Sequence, residues 1–246
     1  MAERTVGLLH PGEMGAAVGA VLRGQGHRVI WASAGRSEET RERAAAAGLE
    51  DVGSVSKVAE ADVVFSICPP HAALDVARSA RFGGVYVDAN AVSPATGAKV
   101  ADVVDEFVDG GIVGSPPREP GMTRLYLSGE RASDVAGLFT GSVLETRVVS
   151  NASAVKMAYA AWTKGTAAML LAIRELARRE GVEEPLLAEW DLSLSELRGR
   201  YDRALRSAEA KGWRWVGEME EIAATFEAAG LPGGFHRAAA EVYRDR

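Results

Sequence analysis

At 246 residues, 47% apolar and 25% charged, the chain can bury one large or two modest cores, which excludes a disordered polypeptide. A formal net charge of −6 argues against nucleic acid or an anionic membrane as the main partner, since both attract basic surfaces. Cys68, the single cysteine, cannot form an internal disulfide; with no apolar stretch of bilayer length and no basic-then-apolar leader, the expectation is a cytoplasmic protein.

The first element is an apolar run from Val6 that breaks at His10-Pro11-Gly12-Glu13-Met14-Gly15 and resumes as an Ala/Val-rich helix. Strand, tight turn and helix in that order leave unpaired helix N–H groups beyond the carboxyl end of a strand, where a pyrophosphate docks. Gly12 lets backbone approach phosphate and Gly15 lets helix and strand pack closely, as in the dinucleotide fingerprint; His10 stands where that fingerprint has its first glycine. His10, Pro11, Gly12, Glu13 and Met14 are therefore candidate cofactor residues. A second strand over His27 to Ala32 runs into Ser33-Ala34-Gly35-Arg36-Ser37, with no acidic residue before Glu38. An acid here would bind a ribose 2′-hydroxyl, whereas Arg36, aided by Ser33 and Ser37, suits a 2′-phosphate, so the sequence favours NADP(H). Ser37 also reads as a helix cap with an acidic first turn behind it.

Ala61 to Cys68 and Gly84 to Asn90 are near-continuous apolar runs, the pattern of parallel strands covered on both faces. Pro69-Pro70 ends the first, and Ser93-Pro94 opens a helix after the second. Cys68, Pro69, Pro70, His71, Asn90 and Ser93 thus become candidates for the nicotinamide end of the site, with Cys68 a site-lining residue rather than a nucleophile. Further runs at Gly111 to Gly114, Arg124 to Leu127 and Leu144 to Val149 make a sheet of seven or eight strands.

Strand signal stops near Asn151. Val155, Tyr159, Trp162, Thr166, Met169, Ile173 and Leu176 recur at spacings of four and three along a long helix. Helices follow at Pro185 to Trp190, Leu194 to Ala210, Trp215 to Ala229 and Phe235 to Arg246, with breaks expected at Gly181, Pro185, Gly212 and Leu231 to Gly234. The expected architecture is α/β: a Rossmann-type, mostly parallel sheet domain over residues 1–150 and a smaller all-α domain over 151–246. So long an apolar helix in so small a domain points to a homodimer through the carboxy-terminal helices. No metal-ligand spacing is present.

The turn at Gly7 to Gly15, the segment Asp88-Ala89-Asn90-Ala91-Val92-Ser93-Pro94 and the lysine opening the helical domain together resemble the β-hydroxyacid dehydrogenases, which include 6-phosphogluconate and 3-hydroxyisobutyrate dehydrogenases. Val155 to Gly165 and Trp213 to Ile222 look like the 6-phosphogluconate-dehydrogenase-like branch with a short carboxy-terminal domain. The resemblance covers nearly the whole chain. It implies that Lys156 is the general acid/base, with Asn90 beside it, and that Ser115, Tyr159, Trp162 and Lys164 lie around a small-molecule substrate. Apolar neighbours at Val155, Met157 and Tyr159 suit a lysine that must exchange its proton.

Two departures bear on the substrate. The superfamily's carboxylate-binding serine falls on Val113, and its asparagine one turn after the lysine falls on Ala160; Arg118, Thr123 and Arg124 are the available polar replacements. Trp162, Trp213 and Trp215 can wall an apolar pocket like that of imine reductases, or pack within the helices. The leading expectation is an NADP(H)-linked oxidoreductase acting on a small hydroxyl or carbonyl compound. An imine reductase on the same scaffold and a non-catalytic dinucleotide sensor are the alternatives.

Overall fold

A computed structural model describes residues 3–244. Strands and helices alternate through β1 (Thr5–Leu8), α1 (Glu13–Gly24), β2 (Arg28–Trp31), α2 (Glu38–Ala46), β3 (Glu50–Asp51), α3 (Val55–Val58), β4 (Val63–Ser66), α4 (Ala73–Arg78), β5 (Val85–Asp88), α5 (Pro94–Ala101), β6 (Glu106–Gly114), β7 (Thr123–Ser128), α6 (Ala132–Gly137) and β8 (Leu144–Val148). Four helices follow: α7 (Ala152–Arg179), α8 (Glu183–Ser193), α9 (Leu197–Ala228) and α10 (Gly234–Arg244). The chain divides into two compact units after Lys156, so the first turn of α7 belongs to the sheet unit.

The eight strands lie in the order β3-β2-β1-β4-β5-β6-β7-β8. Every ladder is parallel except β6 with β7. Chain order reverses at β1, which has β2 on one side and β4 on the other, and it is outside such a reversal that ligands of open α/β sheets collect. Alternation sets the core: Val6, Leu8, Phe65 and Val87 enter one buried cluster, while Ile30, Val64 and Tyr86 enter the other. With both faces covered, the central strands read as unbroken apolar runs. Ser37 and Ser93 cap α2 and α5, each hydroxyl accepting from the N–H three residues on, as their sequences require.

Several expectations need correction. Gly212 does not break a helix: α9 is continuous for 32 residues. A glycine inside a helix costs about 1 kcal/mol against alanine. Here it is buried, and a Cβ would stand at an ordinary contact distance of 3.8 Å from the Tyr243 ring, so the helix tolerates the glycine and its packing does not demand it. Pro185 likewise sits inside α8, at its third residue, where no N–H is owed to a preceding turn. The two-residue strand β3 was not expected at all. In α7 the apolar stripe, for which a second copy is the expected cover, is largely exposed in the single chain. Met157, Ala160, Ala168 and Leu171 are its buried positions, whereas Tyr159, Trp162, Met169, Ile173 and Leu176 are exposed, Trp162 at 61% and Leu176 at 60%.

Candidate active site

The amino-terminal turn is built from carbonyls and missing side chains. Leu9 donates its N–H to the Phe65 carbonyl, which ties the end of β1 to β4, and the Gly12 N–H donates to the His10 carbonyl at 2.9 Å. A Cβ at Gly15 would collide with that carbonyl, so α1 can press against the strand only with glycine here. At Gly12 a Cβ would meet nothing within 4 Å, and no side chain caps α1. The open space beside Gly12 and the uncapped helix start suit an anion. No described non-glycine residue has a positive φ, so the turn asks for no left-handed residue at its first position, and histidine is accommodated there.

His10 is held neutral. Burial, helped by the Arg36 charge, lowers its pKa to about 4. Its Nδ1 is buried without a hydrogen-bond partner, and so is Nε of Arg36, whose Nη2 donates to the Leu9 carbonyl at 3.4 Å. Orphaned nitrogens of this kind mark a place built for another molecule's oxygens. An anionic dinucleotide fits them: Gly12 and the start of α1 would take its pyrophosphate, and Arg36 would supply charge-assisted donors.

Ser33 is buried at the end of β2, its N–H donating to the Asp51 carboxylate at 3.1 Å and its carbonyl accepting from Arg41 at 3.0 Å. Arg43 donates to the Pro11 carbonyl at 3.4 Å. Sequence reasoning missed Arg41, Arg43 and Asp51. The two arginines were visible as one short helix after a serine cap; Asp51 was hidden in a strand too short to be recognised.

At the ends of β4 and β5 a buried polar cluster fixes the next two loops. The Asn90 side-chain oxygen accepts from the Cys68 N–H at 2.5 Å, its amide donates to Ser66 Oγ at 3.0 Å, and its backbone N–H donates to the Asp88 carboxylate at 3.0 Å. Asn90 thus holds the Cys68-Pro69-Pro70 segment in place. Burial pushes the Cys68 thiol up to about 12, which keeps it protonated and unfit as a nucleophile. Pro70 begins a short turn on which His71 is exposed.

Lys156 is delivered by a clamp that the sequence did not reveal. Asp109 on β6 and Ser128 on β7 are register partners. The Ser128 hydroxyl accepts from the Ala152 N–H at 2.9 Å, the Asp109 carboxylate accepts from the Ser153 N–H at 2.8 Å and from the Ser153 and Ser128 hydroxyls, and Asn151 accepts from the Ala154 N–H at 2.8 Å. Three successive N–H groups at the start of α7 are thereby satisfied. A Cβ at Gly111 would stand 2.8 Å from the Ala152 carbonyl oxygen and 2.9 Å from Lys156 Cβ, so the glycine lets the helix lie against β6. The half-buried Lys156 then donates from Nζ to the Ile112 carbonyl at 2.8 Å, near the carboxyl end of β6.

The remaining candidates are placed as follows. Val113, at the superfamily's serine position, is buried, and Ser115 is exposed with its carbonyl accepting from Thr123. Tyr159 and Trp162 belong to the helical unit and are exposed. Lys164 is not a surface group: it is ion-paired with the buried Glu218 and lies 5.7 Å from the centre of the Trp215 ring.

Residues 5–92 match the family described as NADP oxidoreductase, coenzyme F420-dependent, and residues 177–245 match a domain of unknown function, DUF1932. An uncharacterised 28.5 kDa protein of Methanothermus fervidus is 35% identical over 163 residues, which are 62% of this chain and 63% of that protein, a little under two thirds of its length. Among solved structures, a conserved protein of unknown function described as structurally similar to 3-hydroxyacid dehydrogenases is 29% identical, with a TM-score of 0.69 over 98% of this chain and 96% of its own. The 3-hydroxyisobutyrate dehydrogenase of Salmonella typhimurium shares the fold at 16% identity, with a TM-score of 0.70 over 98% and 93% of the two chains. Matched by family models over residues 5–92 and 177–245 and alike in fold from end to end, the chain is similar to the 3-hydroxyacid dehydrogenase-like proteins.

Proposed function

We propose that the protein is an NADP(H)-dependent oxidoreductase that interconverts a small hydroxyl compound and its carbonyl, with Lys156 as general acid/base. The observation that carries this reading is the shared edge of the sheet. The turn at His10 to Gly15, the loop held by Asn90 and the tethered ammonium of Lys156 all stand at the carboxyl ends of β1, β4, β5 and β6, which are consecutive neighbours. NADP(H), when bound, supplies or accepts the hydride. Gly12 and the α1 start hold its pyrophosphate, Arg36 with Ser33 and Arg41 takes the adenosine end, and Cys68, Pro69 and Pro70, fixed by Asn90, bound the nicotinamide end. Lys156 gives a proton to the substrate oxygen in reduction and removes it in oxidation, while its bond to the Ile112 carbonyl keeps Nζ in place.

Val113 favours a second substrate class. A buried apolar side chain where the superfamily binds carboxylate weakens the case for a simple hydroxy acid and suits reduction of an imine in an apolar pocket. A substrate panel of ketones, with and without an amine donor, separates the two. In the same assays Lys156→Ala is expected to bind NADPH within about twofold of wild type while turnover falls by about a hundredfold or more, the usual share of general acid/base catalysis. Full turnover in the variant would remove Lys156 from the mechanism.

The working form in this reading is a cytosolic homodimer. Its contact face is the apolar recess of about 520 Å³ on the helical unit, walled by Ala158, Gly165, Met169 and Ala172 of α7 and by Phe235 and Val242 of α10. Its lining combines small residues with large exposed ones such as Met169 and Phe235, a surface that can meet its own copy about a twofold axis.

A further inference from the structure

The helical unit has a second recess, of about 260 Å³, between α7 and α9. Trp162, Thr163 and Leu170 line it from one helix and Arg200, Arg203 and Trp215 from the other, and no carboxylate is among its lining residues. Its charge comes from the two arginines. Elsewhere in this unit Arg174 is paired with Glu183, Arg178 with Glu175, Arg198 with Asp191, Arg237 with Glu227 and Arg244 with Glu220. Among the described residues of this unit Arg200, Arg203, Arg206 and Arg214 have no ion pair, and of these four Arg200 and Arg203 line the recess.

The surroundings of these two charges narrow what they can hold. The Arg200 guanidinium lies over the Trp162 ring, 6.0 Å from its centre. Trp215 is fixed by the edge of Tyr243 at 5.1 Å and by the Lys164 ammonium, whose own charge is answered by Glu218. Thr163 and Thr166 donate their hydroxyls to the carbonyls one helical turn earlier, so they offer the recess no free donor. What remains is two indoles, two cationic forks and the Ser207 hydroxyl.

We propose that this recess binds a small planar carboxylate, with its ring between Trp162 and Trp215 and its carboxylate accepting from Arg200 and Arg203. A carboxylate matches the bidentate geometry of guanidinium, and a flat ring gains from stacking against indole. The proposal concerns the helical unit alone and stands whether or not Lys156 carries a proton.

Calorimetric titration of the whole protein tests it, with benzoate as probe, benzamide as its uncharged counterpart and NADPH as a check that each variant is folded. Benzoate should bind saturably in the millimolar range or tighter, benzamide about tenfold or more weakly than that, and R200Q/R203Q should lose about tenfold or more of the benzoate affinity while keeping that for NADPH. Should the double variant fail to fold, the salt dependence decides in the wild type: added NaCl must weaken benzoate and leave benzamide unchanged. No saturable benzoate binding, equal affinity for the amide, insensitivity to salt, or full benzoate affinity in a folded R200Q/R203Q overturns the proposal.

Discussion

A histidine that cannot take up a proton where it sits makes the cofactor turn sensitive to acid. His10 titrates at 6.5 when exposed and at about 4 in the fold, so the unfolded chain binds the extra proton first as pH falls. Stability from this residue is complete above about pH 6.5, declines between there and about pH 4, and is flat below, a loss of up to about 3 kcal/mol. His236, whose pKa burial also lowers, acts in the same direction. The stability difference between wild type and His10→Gln, read from urea midpoints, should therefore shift in the variant's favour as pH falls from about 6.5 to about 4. A constant gap would mean that His10 is not buried as described. Residue types at this scale were legible: Gly12, Gly15 and Arg36 stand out by chemistry alone. What could not be read was the partner of each group, because the reach of Arg36 to the Leu9 carbonyl and the union of Asn90 with Ser66 and Cys68 join residues more than twenty positions apart.

Among elements, the start of α7 is the most heavily anchored. Asp109 receives three donors, two of them from the first turn of that helix. Asp109→Ala strands those donors and should cost about 2–3 kcal/mol, read as a lowered thermal midpoint, against about 1 kcal/mol for Asn151→Ala at the cap itself. Equal small effects would show that the clamp does not hold the helix. Strands β1, β2, β4 and β5 were evident in the sequence because doubly covered strands are apolar throughout, and the caps at Ser37 and Ser93 because they are local. Helix breaks failed for the converse reason. Glycine and proline signal a break only where their local cost is decisive; at Gly212 the rest of a 32-residue helix outweighs it, and at Pro185 the helix start imposes none.

For the molecule as a whole, α7 poses the question of association. Periodicity located its apolar stripe, and a repeat reports that a face is apolar and not what will cover it. Light scattering at micromolar concentration should give a dimer, and Phe235→Asp, placing a charge at the rim of the α7–α10 recess, should give a folded monomer. A monomeric wild type would sink this assembly. Net charge bears on the molecule in a different way. A chain at −6 repels a polyanionic ligand at distance, while Arg36, with no carboxylate partner among the described residues, attracts it at the turn. The two influences differ in range: at physiological ionic strength the Debye length is about 8 Å, so salt extinguishes the global repulsion before it weakens contacts made within the pocket. Capture of such a ligand is then a kinetic matter of crossing a screened barrier into a short-range trap, and the ionic strength of the surroundings sets how often an encounter ends in one.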